Sequence, residues 1–129
     1  MKTNYVIIAG GRDCKPSRIN INLCYKLISK LEGDVILYSG NARGADQIPW
    51  EMKKEYGCPV VGFTADWDFH DKRAGPIRNR RMLKGDGNPA THLIAFWDGK
   101  SRGTKDMIDI AREAGIKVKV FRYKSKENT

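Results

Sequence analysis

The stretch that decides the fold is residues 39–46, which read Ser39-Gly40-Asn41-Ala42-Arg43-Gly44-Ala45-Asp46. It directly follows the apolar run at residues 35–38, so we expect a strand that ends in a loop of small residues and leads into a helix. Small residues let a ligand approach the backbone, and the free amides and dipole of a helix start attract anions. The junction therefore predicts a phosphate-binding site in which Arg43 grips an anionic oxygen.

Apolar runs and helical patterns alternate along the rest of the chain. Further β-branched or aromatic runs occupy residues 5–9, 60–63, 93–97 and 118–121, and they mostly lack the polar alternation of half-exposed strands. Apolar residues at helical spacing lie between them, as at residues 23–31. Short links between strands and helices imply right-handed crossovers. The sequence therefore predicts an α/β fold, a single Rossmann-like three-layer domain with a mainly parallel sheet of about five strands and helices on both faces.

Pro49 leaves two alternatives for the helix that follows the 39–46 stretch. Proline is tolerated in the first turn of a helix but breaks its interior. Either the regular helix begins near Ile48, with residues 45–47 as an irregular lead-in, or its first turn is distorted.

Length and composition agree with one ordinary domain over residues 1–129. No apolar run approaches the length that crosses a bilayer, and the run at residues 5–9 is too short for a signal peptide. These features predict a cytoplasmic protein without a membrane partner. The basic residues within 122–129 are expected to form a frayed, solvated end.

The charge and the cysteines limit the kinds of partner. A formal net charge of +9 attracts polyanions, whether nucleotides or nucleic acid, and does not choose between them. Cys14, Cys24 and Cys58 make an odd count without metal-ligand spacing, which indicates reduced thiols and no metal site. The full dinucleotide fingerprint is absent after Gly10 and Gly11, so no nicotinamide or other cofactor is predicted.

Two more strand ends carry loops that contain glycine and a cation. The candidate ligand-binding residues there are Gly10, Gly11, Arg12 and Asp13 after the first strand, and Gly99, Gly103 and Thr104 after the fourth. Thr104 suits a helix cap or a phosphate donor. Because the carboxyl ends of parallel strands meet at one edge of a sheet, we expect these loops to share a crevice with residues 39–46.

The longest connection, residues 64–91, supplies further candidates. Gly75 and the proline after it suit a helix start, which would place Arg78 and Asn79 in the first turn near free amides. Trp67 and Phe69 either stack on a nucleotide base or pack in the core. No constellation of metal ligands or of an activated nucleophile emerges from the pattern.

In combination and order, these motifs resemble the SLOG superfamily, a Rossmann-like group that includes DprA proteins and the Lonely-Guy phosphoribohydrolases. The match is best with its YspA-like branch, whose members occur in bacteria and their phages. It spans nearly the whole chain and rests on these elements: residues 10–13, 39–46 and 67–70, the stretch 74–79, and residues 95–107 with Gly103-Thr104-x-x-Met107.

The resemblance implies a pocket for a nucleotide or nucleotide-derived ligand, such as an ADP-ribose-like molecule or a nucleoside phosphate, in a sensor or processing domain. Its ligand-binding residues would include Ser39, Gly40, Ala42, Arg43, Gly44 and Asp46. A homo-oligomer is also implied.

Two alternatives follow from the same resemblance. The Lonely-Guy enzymes hydrolyse nucleoside monophosphates at the N-glycosidic bond with an arginine, similar in position to Arg78, and a glutamate after a Gly-Thr motif. Here Met107 stands in the glutamate's position, so the hydrolase alternative lacks its expected catalytic glutamate and the catalytic residues are unassigned. The DprA-like motif implies instead a single-stranded DNA-binding module, as the second choice after a small nucleotide-like partner.

Overall fold

A computed structural model describes residues 2–125 of the chain, and its centre is a parallel β-sheet. The strands are β1 (Thr3–Gly10), β2 (Asp34–Ser39), β3 (Val60–Gly62), β4 (His92–Trp97) and β5 (Lys117–Arg122). They lie in the order β3-β2-β1-β4-β5, and every neighbouring pair is parallel. The central strand β1 is fully buried over its middle because helices cover both of its faces.

The described residues contain five α-helices, most of which form the outer layers. They are α1 (Arg18–Ile28), α2 (Ile48–Tyr56), α3 (Trp67–His70), α4 (Ala74–Lys84) and α5 (Arg102–Glu113). Helices α1 and α2 pack with Val6 and Ile8 on one face of β1, while α4 and α5 pack with Ile7 and Ala9 on the other. The predicted fold class is therefore confirmed: an α/β, Rossmann-like, three-layer domain with a five-stranded sheet.

The helix starts settle one open question and correct two expectations. A 3₁₀ turn at Gly44–Gln47 precedes α2, so the irregular lead-in is the correct alternative at Pro49. Helix α4 begins at Ala74, which places Arg78 and Asn79 in its second turn rather than its first. Helix α5 begins at Arg102, so Thr104 lies inside the first turn and is not the cap.

The residues that follow β5, 123–125, stay packed against the rest of the domain. Arg122 is the last residue of β5, and the Tyr123 amide donates to the carbonyl of Trp97 at 3.2 Å. Ser125 is buried. The expected frayed end at 122–129 thus begins with residues that are held in place, while residues 126–129 lie outside the described part of the chain.

The strand order places a natural crevice at the centre of the sheet. From β1 the chain proceeds outward to β2 and β3, and then crosses to β4 and β5 on the opposite side of β1. The loops after β1 and β4 therefore leave in opposite directions, and ligands bind at such switch points in open α/β sheets. Within residues 2–125, no helix is long and apolar enough to cross a membrane.

Candidate functional site

A cavity of about 830 Å³ opens at the carboxyl ends of β1 and β4. This volume is in the range of small-molecule sites. Most of the residues predicted from the sequence line it, namely Gly10, Gly11, Arg12, Asp13, Ala42, Arg43, Asp46, Trp67, Gly75, Arg78, Asn79, Gly103 and Thr104. The loops after β1, β2 and β4 and the start of α4 thus meet around one space.

Ser39 and Gly40 lie behind the cavity wall instead of lining it. The Ser39 hydroxyl is fully buried and donates to the Asp46 carbonyl at 2.6 Å, which holds the 39–46 loop closed. A Cβ on Gly40 would lie 2.6 Å from Nη1 of Arg78 and 2.8 Å from Oδ2 of Asp46. Both residues therefore support the loop, and glycine at position 40 leaves room for the charged pair.

Gly44 and Gly99 also lie outside the cavity lining. Gly44 has a φ of 80°, and a Cβ there would lie 2.6 Å from the Arg12 carbonyl, so this glycine lets the loops after β1 and β2 touch. A Cβ on Gly99 would overlap the guanidinium group of Arg122. These two glycines shape the backbone around the site.

Arg78 and Asp46 form a buried ion pair in the cavity wall. Nη1 of Arg78 donates to the Gly40 carbonyl at 2.5 Å and lies 3.9 Å from Oδ2 of Asp46, and the two side chains are 13% and 6% exposed. Burial raises the pKa of Asp46 to about 6, although Arg78 and the backbone amides of Ala42 and Gly10 favour its ionised form. Arg78 therefore anchors the 39–46 loop as well as facing the cavity.

Asn79 connects α4 to the start of α5. Its Nδ2 donates to the Gly103 carbonyl at 3.2 Å and to Oδ2 of Asp106 at 3.0 Å, while its Oδ1 accepts from Nε of Arg78 at 3.0 Å. Arg80 also donates to Asp106 at 3.3 Å. The amide of Asn79 is thus committed to holding the wall together.

Met107 lines the cavity with a side chain that is almost fully buried. It occupies the position at which the resemblance to Lonely-Guy enzymes expects a glutamate. A thioether can neither accept a proton nor stabilise a cation as a carboxylate does. The neighbouring carboxylate, Asp106, is engaged by Asn79 and Arg80.

Exposed cations surround the cavity. Arg12 and Arg43 were expected from the sequence, whereas Lys72, Lys100 and Arg102 were not singled out as ligand-binding residues, although all five are exposed and line the cavity. The signal for Lys100 and Arg102 was their place shortly after β4, in the loop and at the first position of α5. Lys72 comes from the turn between α3 and α4 and has no comparable local signal.

Trp67 supplies an aromatic face beside these cations. It is 46% exposed and lines the cavity, and the guanidinium carbon of Arg12 lies 5.4 Å from the centre of its ring. Phe69 is 77% exposed, packs against His70 and does not line the cavity. Core packing is therefore the wrong alternative for both aromatic residues, and only Trp67 is positioned for stacking in this cavity.

A cluster of Asp13, Tyr123 and Ser125 closes another side of the cavity. The Tyr123 hydroxyl donates to Oδ1 of Asp13 at 2.6 Å, and the Ser125 hydroxyl donates to Oδ2. Burial, together with the bond to Asp13, raises the pKa of Tyr123, so this phenol keeps its proton. A Cβ on Gly11 would overlap the Tyr123 hydroxyl. The sequence reasoning missed Tyr123 and Ser125.

The fold resembles that of a solved DNA processing protein. The X-ray structure of DNA processing protein A (DprA) from Streptococcus pneumoniae superposes with a TM-score of 0.67 at 18% sequence identity, covering 98% of this chain and 52% of that one. The chain is thus an α/β protein with a DprA-like, SLOG-like fold. It spans about half the length of the DprA chain.

A sequence relative defines the family more narrowly. The Gene 61 protein of Mycobacterium phage D29 is 36% identical over 89 residues, which are 65% of this chain and 69% of the relative. The chain belongs to the family of this phage protein. No family model matches the sequence.

Proposed function

We propose that this chain binds a nucleotide or nucleotide-derived ligand, such as an ADP-ribose-like molecule or a nucleoside phosphate, as a sensor or processing domain. The observation that carries the proposal is the cavity at the carboxyl ends of β1 and β4, which combines exposed cations with one exposed aromatic face. Phosphate groups pair with guanidinium and ammonium groups, and nucleotide bases stack on aromatic rings. A ligand with both features matches this lining.

The cations around the cavity fall into two groups: those that hold the cavity wall together and those that are exposed to a ligand. Arg78 is buried and donates to the Gly40 carbonyl, so it contributes charge from the wall. Arg12 and Arg43 are exposed at the loops after β1 and β2, where their guanidinium groups can reach a phosphate. We assign Arg43 as the main phosphate ligand and Trp67 as the stacking surface for the base.

A ligand panel tests the proposal. Thermal unfolding is measured with AMP, ADP-ribose, NAD and cyclic nucleotides, and a ligand at about 100 times its Kd adds about 2.7 kcal/mol to the free energy of unfolding. For a domain of this size, that amounts to roughly 8–12 °C. No shift with any of these probes at millimolar concentration would contradict the proposal.

Two substitutions locate the site once a probe binds. Arg43→Ala removes an exposed guanidinium group and should weaken binding about tenfold or more, because it deletes a charge-assisted hydrogen bond. Arg81→Ala is the matched control, since Arg81 is an exposed arginine that does not line the cavity. Equal losses in the two variants would indicate a general charge effect and not a phosphate site.

Single-stranded DNA binding is the second candidate function. A solved structure with a similar fold is that of a DNA processing protein, Trp67 and Phe69 are exposed, and the guanidinium group of Arg12 lies over the ring of Trp67. Single-strand binders combine cations with aromatic stacking surfaces. The affinity for an oligonucleotide should then fall with salt, with a log–log slope of roughly −0.7 for each phosphate neutralised. Salt-insensitive or absent binding would exclude this function.

We further propose a place for the protein within the superfamily and the cell. The order of the motifs supports the YspA-like branch of the SLOG group, with residues 1–129 as one ligand-binding domain. Free cysteines support a reducing, cytoplasmic setting, since Cys14 and Cys24 are buried thiols. A homo-oligomer stays a prediction, which the mass of the particle in solution tests.

A further inference from the structure

Two hydroxyl groups of the segment after β5 donate hydrogen bonds to a carboxylate that lines the cavity. Tyr123 donates to one oxygen of Asp13 at 2.6 Å, and Ser125 donates to the other. Both hydroxyl-bearing residues line the cavity together with Asp13. Ser125 is 3% exposed, so this arrangement is built into the wall.

This pattern of donors has a close chemical counterpart in nucleotides. An ionised carboxylate only accepts hydrogen bonds, and each of its oxygens takes one hydroxyl group well. The 2′- and 3′-hydroxyls of a ribose are adjacent and can each bond one oxygen of a carboxylate. Carboxylates at the ligand edge of Rossmann-like sheets recognise ribose hydroxyls in this manner.

The position of Asp13 fits a ribose between a base and a phosphate. Asp13 lies in the loop after β1, next to Arg12, whose guanidinium group lies over Trp67. The cations of the loop after β4 line the same cavity. A stacking surface, a hydroxyl acceptor and phosphate partners thus surround one space.

We propose that Asp13 recognises the cis-diol of a ribose, and that the hydroxyls of Tyr123 and Ser125 compete with the ligand for this carboxylate. The inference rests on the proposed nucleotide-binding function and narrows it to ribonucleotides with free 2′- and 3′-hydroxyls. The glycine at position 11 serves the same arrangement, because any side chain there would displace the Tyr123 hydroxyl.

The test compares AMP with 2′,3′-dideoxy-AMP by titration calorimetry on the full chain. The wild type should bind AMP about fivefold more tightly or better, because only AMP donates two hydroxyls to Asp13, while the bonds that Tyr123 and Ser125 give up offset part of this gain. Asp13→Asn should bring the two affinities to within about threefold, because the neutral amide accepts on one atom only. Tyr123→Phe combined with Ser125→Ala should widen the preference for AMP, because two of the donors that compete for Asp13 are removed.

Controls distinguish failure of the diol assignment from failure of the proposed nucleotide-binding function. Tyr25→Phe changes an exposed tyrosine outside the cavity and should leave the preference for AMP unchanged. Thermal unfolding of each variant shows whether it is folded. If the double variant does not fold, the nearly isosteric Asp13→Asn still tests the assignment. Equal binding of both probes by the wild type, or the same preference in Asp13→Asn, overturns the diol assignment alone. Absence of binding of both probes, together with no thermal shift from ADP-ribose, NAD or cyclic nucleotides, overturns the nucleotide function as well.

Discussion

The buried carboxyl group of Asp46 should make the stability of the domain depend on pH in a way that Asp46→Asn removes. Asp46 is 4% exposed, accepts a hydrogen bond from the Ala42 amide at 3.2 Å and has Arg78 at 3.9 Å. Burial outweighs these favourable contacts and raises its pKa from the ordinary 3.8 to about 6. The folded state therefore holds the Asp46 proton more tightly than the unfolded chain does.

The magnitude follows from this difference in pKa. Each unit is worth 1.36 kcal/mol, so protonated Asp46 contributes about 3 kcal/mol to the free energy of unfolding at low pH. This contribution is fully present below the unfolded pKa and is lost as the pH rises through about 6. Between about pH 4.5 and about pH 7.5, the wild type should lose about 2 kcal/mol relative to Asp46→Asn, which cannot titrate.

Urea unfolding of the wild type and of Asp46→Asn at the two pH values measures this change. As the pH rises, the free energy of unfolding of Asp46→Asn should increase relative to that of the wild type. Asp109→Asn is the control, because Asp109 is exposed on α5. The difference in the free energy of unfolding between the wild type and this variant should change by less than about 0.5 kcal/mol between the two pH values. A constant difference, or one that moves in favour of the wild type, would mean that Arg78 keeps Asp46 ionised throughout and would refute the reasoning.

Two further substitutions test how the cavity wall is built. Gly11→Ala should lower the free energy of unfolding by about 1–3 kcal/mol, because the added methyl group overlaps the Tyr123 hydroxyl. Combining it with Tyr123→Ala should reduce that loss. Chemical denaturation of the single and double variants measures both changes. Asn79→Ala should cost about 1–3 kcal/mol, because it removes a buried amide that bonds Arg78 in α4 and the Gly103 carbonyl in α5. A loss below about 0.5 kcal/mol would mean that Asn79 is not a structural tether.

The fold was predictable because each of the five runs became a strand of the sheet. The central strands β1 and β4 are largely apolar and buried, as strands covered on both faces must be, whereas the edge strands β3 and β5 are partly exposed. The start of α4 was less predictable. Pro76 lies in the first turn of α4 but not at its first position, and a proline is tolerated in any of these places because amides there lack intrahelical partners. The proline therefore marked the helix without locating its first residue.

The candidate site was predictable where its residues follow strands. The loops after β1, β2 and β4 meet at one edge because parallel strands bring their carboxyl ends together. Tyr123 and Ser125 carried no such signal, since they lie more than 100 residues from Asp13 in the chain and only the packing of β5 brings them to it. Lys72 is one of many surface cations, and its role depends on how α3 and α4 pack.

The acids around the cavity bear on whether a bound nucleotide would also be cleaved. Asp106 accepts from Asn79 and Arg80, and Asp13 accepts from two hydroxyl groups, so both carboxylates already hold the wall together. Met107 stands where the Lonely-Guy resemblance expects the glutamate. We therefore predict binding without turnover: AMP incubated with the protein should be recovered intact by chromatography. Release of adenine by the wild type would contradict this reasoning and would make Asp46, a cavity-lining acid with a pKa of about 6, the group to test as the proton donor.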